Sequence, residues 1–165
     1  MWVFSHHRPL TAVSSCSQSG ALEQGARIGC EVYAKHFPVI VYQYYGANWD
    51  DHEQVINRLS RLTGKPVFSV DSSWSVPQPP HMPDPLGNQC ASYEVAADRM
   101  EEVYSAAYAR PDFIGWGWCG MMDNWAVSEP VKQHGGMQDV FGNWHHPLAD
   151  RRAQFSKEMY EIATP

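Results

Sequence analysis

The chain has 165 residues, 44% hydrophobic and 18% charged, and its 12 Lys and Arg against 18 Asp and Glu leave a net charge of −6. This is globular composition sized for one domain, which excludes a chain disordered throughout. It also holds no run of about 18 apolar residues to span a membrane and no basic stripe to track nucleic acid.

Aromatic content is high, with seven Trp, eight Tyr and six Phe. Several of these rings sit beside Gly, Asp and His rather than inside apolar runs. That setting suits ligands with both apolar and hydroxylated faces, sugars above all; the competing reading is a Trp-rich core. Cys16, Cys30, Cys90 and Cys119 have no CxxC spacing. They read as buried thiols rather than a zinc ribbon or a disulfide framework.

Residues 1–37 form an irregular lead-in crowded with Ser, Gln and Gly, with a short helix expected near 22–33. The apolar stretch between Arg8 and Cys16 is short and holds Pro9, which does not match an export-signal layout. From Pro38 the pattern turns regular. Residues 39–45 are β-branched and aromatic without charge, as in a strand buried on both faces of a parallel sheet. Asn48 or Asp50 can cap the helix that follows. Val55, Ile56, Leu59 and Leu62 give that helix one apolar stripe, and Gly64 stops it.

Residues 66–70 predict a second strand. Pro77, Pro79, Pro80, Pro83 and Pro85 then predict a stiff, extended surface loop without regular structure. Ser92 can cap the next helix, whose inner stripe is Ala96, Met100, Val103, Tyr104 and Ala107, with Pro111 closing it. Residues 113–118 predict a third strand, weakened by Gly115 and Gly117 unless something packs closely on its backbone. A loop follows, then a small hairpin or turn over 136–143. Pro147 suits the first turn of a last helix that buries Leu148, Phe155, Met159 and Ile162.

Strands alternating with helices point to parallel strands joined by right-handed crossovers. In such folds the residues just past each strand's C-terminal end build the active site. That rule selects Tyr44 and Tyr45, then Asp71 to Trp74, then Trp116 to Asp123. Asp71 leaves an apolar strand end, where a carboxylate serves as nucleophile or acid/base; a capping or salt-bridging Asp is the plainer alternative. Trp116 or Trp118 can floor a sugar, and a Tyr44 or Tyr45 phenol can orient the carboxylate. Trp74, Asp123 and His134 complete the expected substrate contacts. His134, His145 and His146 lie in loops, and no HExxH motif, phosphate loop or GxSxG elbow occurs. Neither a metal nor a cofactor is expected.

Together these clusters resemble the C-terminal part of a glycoside hydrolase of the large retaining clan with a (β/α)8 barrel, nearest to β-agarase-like and β-galactosidase-like members. Gly64-Lys65-Pro66 stands at the clan's strand-seven offset, with Asp71 where the nucleophilic Glu is usual. Residues 113–118 match strand eight loosely. Gly136, Asp139, Gly142 and Pro147 match the segment before the last helix. The resemblance covers 38–162 and implies an α/β fold, a partial (β/α)8 TIM barrel of strands six to eight with their helices. It implies Asp71 as catalytic residue and an oligo- or polysaccharide substrate of β-linked galactan or agarose type. The clan's acid/base Glu follows strand four, and nothing before Pro38 supplies that motif. An incomplete domain, weakly active or inactive alone, is therefore expected, with a second chain able to complete the barrel. A secreted or periplasmic relative fits the resemblance. A noncatalytic carbohydrate-binding or scaffold module is the alternative, and an unrelated phosphate-binding α/β domain is the weakest.

Overall fold

A computed structural model describes residues 20–44, 48–126 and 133–163, with side chains from residue 28 onward. The elements run α1 (Gly20–His36), β1 (Ile40–Gln43), α2 (Trp49–Thr63), β2 (Val67–Ser72), β3 (Trp74–Ser75), β4 (Asn88–Gln89), α3 (Tyr93–Tyr108), β5 (Phe113–Trp118) and α4 (His146–Ala163). The three main strands form a parallel sheet in the order β1-β2-β5. Parallel neighbours need a crossover, and α2 and α3 supply the two crossovers here.

The helix ends follow from local chemistry. The Asn48 side chain accepts the Asp51 N–H at the start of α2, and Gly64 ends that helix in the left-handed region. Ser92 accepts the Val95 N–H at the start of α3. Each cap satisfies a backbone group the helix itself cannot.

Burial alternates along the strands. Ile40, Tyr42, Val67 and Ser69 are buried among the helices, whereas Val41, Gln43, Phe68 and Val70 are only half-buried. The helix side is sealed by Ala96, Met100, Val103, Tyr104 and Ala107 of α3 and by Leu148 and Phe155 of α4. These are the stripes expected from the sequence; Met159 and Ile162 pack on them half-buried. The β2–β5 register shifts between Val67 and Phe68, so Val67 faces Phe113 and Phe68 faces Gly115. A Cβ on Gly115 would sit 2.5 Å from the Phe68 ring. That is the close packing on the backbone that a strand glycine signals.

The proline-rich segment corrects the expected extended surface loop. Trp74–Ser75 pairs in parallel with Asn88–Gln89, and the intervening chain folds back with Met82 and Pro85 buried. Proline removes donors but does not prevent apolar side chains from being buried. Among the described residues no helix is long and apolar enough to cross a membrane.

Candidate functional site

Asp71 stands near the C-terminal end of the middle strand with φ 63. It is the one residue other than glycine with positive φ among the described residues. Asp tolerates this left-handed conformation better than most residues. The pairing of β2 with β5 is irregular between Ser69 and Ser72, so the kink falls where the strand leaves the sheet.

Both neighbouring strands reach the Asp71 carboxylate. From β1, the Gln43 amide Nε2 donates to Oδ2 at 2.6 Å. From just past β5, the Cys119 side chain lies near enough to the same carboxylate to feel its charge. Burial, then the carboxylate beside it, push the thiol up to about 12. Cys119 is therefore neutral at physiological pH, not a thiolate. Its backbone N–H is anchored on the Ser72 carbonyl at 3.1 Å. The sequence reading missed both neighbours. An unbranched amide one residue before Tyr44 carries no motif, and the bond appears only once β1 and β2 pair in register.

Of the two tyrosines expected to orient Asp71, Tyr44 does something else. Tyr44 is buried, its ring stacks on His52 at 4.0 Å, and its hydroxyl donates to the Asn48 carbonyl at 2.7 Å. Tyr45 lies outside the described residues. His52 itself is fully buried beside the Tyr42 hydroxyl at 2.5 Å. Burial, with the Arg110 charge adding to it, pushes the imidazole down to about 3, so it is neutral.

Of the rings expected to contact a sugar, Trp74 lies in the core, whereas Trp116 and Trp118 are half-buried. Trp74 is 2% exposed and meets Tyr104 edge-on and Trp118 at a tilt. Trp118 packs against Trp116, which stacks on Tyr104 at 4.0 Å with the Arg152 guanidinium 5.5 Å from its centroid. These rings pack toward α3 and α4, because the extra β5 residue opposite Val67 shifts which side chains face the helices.

Asp123, expected to contact substrate, is instead enclosed by the fold. Its side chain is fully buried. Oδ1 accepts the Gly136 N–H at 2.7 Å, while Oδ2 accepts Gln78 Nε2 at 2.7 Å and lies 3.0 Å from His145 Nε2. Burial raises its pKa, but the bonds from His145, Gly136 and Gln78 outweigh burial and hold it below the ordinary carboxylate range. Tyr93 joins this network, bonding both Gln78 and His145 and stacking on the His145 ring at 4.1 Å. The network ties the proline-rich segment, the start of α3, the post-β5 loop and the residue before α4. His134 packs over Gly120, and its Nδ1 is buried without a partner among the described residues.

Asp71 is an expected site residue that stands at a strand end. Among the described residues, no three His, Cys, Asp or Glu side chains group closely enough to hold a metal ion. No family model and no curated protein matches the chain. Solved structures do. An agarase aligns at TM-score 0.75 and 14% identity over 93% of this chain and 23% of its own. An exo-β-agarase aligns at TM-score 0.69 and 17% identity over 87% of this chain and 18% of its own. The β-glucuronidase of Faecalibacterium prausnitzii aligns at TM-score 0.61 and 12% identity over 88% of this chain and 25% of its own. The chain has the fold of part of these glycoside hydrolases and spans a quarter or less of their length.

Proposed function

We propose that the chain is the strand-six-to-eight part of a (β/α)8 glycosidase-type catalytic domain. In this reading it acts on β-linked carbohydrate of galactan or agarose type, with Asp71 as nucleophile or its substitute. The observation that carries this is the Asp71 constellation. A carboxylate stands at the end of the middle parallel strand in a left-handed kink, held from β1 by the uncharged Gln43 amide, with the neutral Cys119 thiol near it past β5. Uncharged donors fix a carboxylate without placing a cation against it, which leaves its charge for a developing oxocarbenium centre.

The general acid comes from a segment beyond this chain. Retaining glycosidases hold their two carboxyl groups about 5–5.5 Å apart and inverting ones about 6.5–9.5 Å. Aspartate is one methylene shorter than the glutamate of the resembling clan and so draws its carboxylate back. One observation favours the noncatalytic reading: Oδ2 is already engaged by Gln43.

A glycosyl fluoride separates the two readings, because its leaving group needs no proton from the absent acid. With an activated 2-fluoro β-galactosyl fluoride, mass spectrometry should find an ester on Asp71 that is lost in Asp71→Asn. The chain alone should turn over aryl β-galactosides little or not at all. Labelling elsewhere, no labelling, or robust turnover that survives Asp71→Asn would overturn the catalytic reading.

A further inference from the structure

Burial along β2 follows the pleat up to one point and then breaks it. Val67 and Ser69 are buried toward the helices, while Phe68 and Val70 are half-buried on the other face. Side chains alternate along a strand, so an unbroken pleat would send Asp71 to the helix side with Val67 and Ser69. Ser72 occupies that side instead. It is buried, and its Oγ lies 3.1 Å from the Ser69 Oγ. Two residues three apart thus share one face, which requires one residue between them to be out of step.

The pairing with β5 locates the extra residue. Ser69 faces Trp116 and Ser72 faces Trp118, so three steps along β2 match two along β5. That is the count of a β-bulge, which re-aims a side chain. Within the bulge, Asp71 is the residue with positive φ. The strand is pinned again just beyond it, where the Ser72 carbonyl accepts the Cys119 N–H at 3.1 Å. On the other side β1 keeps its register, with Gln43 opposite Val70. Gln43 therefore lies on the half-buried face with Val41 and Val70. Its Nε2 reaches Asp71 Oδ2 at 2.6 Å, which puts the carboxylate on that face and not among the helices.

We propose that Gln43 is a positioning residue that holds the Asp71 carboxylate on the sheet face turned away from the helices, where the bulge has brought it. The consequence for chemistry deepens the glycosidase reading and rests on Asp71 as nucleophile. The kinked backbone sets the direction of the Cα–Cβ bond but leaves rotation about the side-chain bonds open. A charge-assisted bond from the Gln43 amide restricts that rotation. The amide sits on a strand of the sheet, and strands place groups more precisely than loops do. In the reaction with a 2-fluoro β-galactosyl fluoride, one Asp71 oxygen bonds C1 as the C1–F bond breaks and fluoride leaves with its electron pair. Gln43 neither makes nor breaks a bond in that step; it fixes where the attacking carboxylate starts.

The test uses the full chain carrying Gln43→Met, which keeps the side-chain length without the amide, or Gln43→Glu, which keeps the shape and replaces the donor with oxygen. Side-chain NMR couplings at Asp71 should report one rotamer in the wild type and averaging in both variants. Ester formation followed at increasing fluoride concentration should show a maximal rate lowered about tenfold or more, since misplacement by about 1 Å costs on the order of a hundredfold. The half-saturating concentration should stay within about twofold. The urea midpoint should move little, because Gln43 is polar and half-buried. An amide with a purely structural role would shift that midpoint and leave the rate per folded molecule unchanged. An unchanged Asp71 rotamer in both variants overturns the proposal. So does labelling of both variants at the wild-type rate, which would leave Asp71 as nucleophile and Gln43 as a bystander. If the wild type forms no ester while both variants free the Asp71 rotamer, the catalytic reading falls and the hold by Gln43 stands.

Discussion

Asp71 and Asp123 both follow a strand of the same sheet, and they have opposite surroundings. Asp123 is fully buried, with donors from three separate segments closing around it. Asp71 is half-buried, held from β1 by Gln43 and with Cys119 near it past β5. One carboxylate ties together the loops beyond the strand ends, and the other stands at the end of the middle strand beside its neighbours in the sheet. Position near a strand end therefore does not by itself make a carboxylate catalytic, since the one at Asp123 is engaged by donors from three segments of the fold.

Substitution at each residue should separate these roles. Asp123→Ala should cause the largest loss of stability, about 3 kcal/mol, because it strands buried donors on Gln78, Gly136 and His145. The check is the urea midpoint. Gly136→Ala should follow at about 2–3 kcal/mol, since its methyl would meet backbone rather than a movable side chain. Asp71→Asn should change stability by less than about 1 kcal/mol while abolishing fluoride labelling. A large stability loss at Asp71, or none at Asp123, would reverse the assignment.

A separate effect is expected on the pH dependence of stability. His52 has a folded pKa of about 3, below its ordinary 6.5. The unfolded chain thus binds more protons between these values, and stability should decline as pH falls from 6.5 toward 3. Asp123, held below its ordinary value, adds stability that is present above about pH 4 and is lost as pH falls through its folded pKa. His52→Gln should flatten the midpoint-against-pH curve between 6.5 and 4 and leave the steeper acid limb in place. An unchanged curve would show that burial of His52 does not set the acid sensitivity.

Much of the fold was legible because it rests on periodic signals. The α3 stripe, the Asn48 and Ser92 caps and the strand over 113–118 occur where the residue pattern puts them. The carboxylate at the end of the second strand was legible too, because an apolar run that stops at an acid is visible in one dimension. The aromatic floor was not. Whether Trp116 and Trp118 face helices or a ligand depends on the register shift between β2 and β5, and one residue of shift exchanges the faces. Gln43 and Cys119 escaped notice because each lies far from Asp71 in sequence and carries no motif.

By itself, then, the sequence determined the alternation of helices and parallel strands, the helix ends and the placing of Asp71 at a strand end. Those features depend on periodicity and on contacts a few residues apart. Only the tertiary structure decided which rings are core and which are surface, which carboxylate is a scaffold, and which side chains hold Asp71. These depend on strand register and on bonds between distant segments, and side-chain faces in a sheet follow from pairing that no single segment encodes.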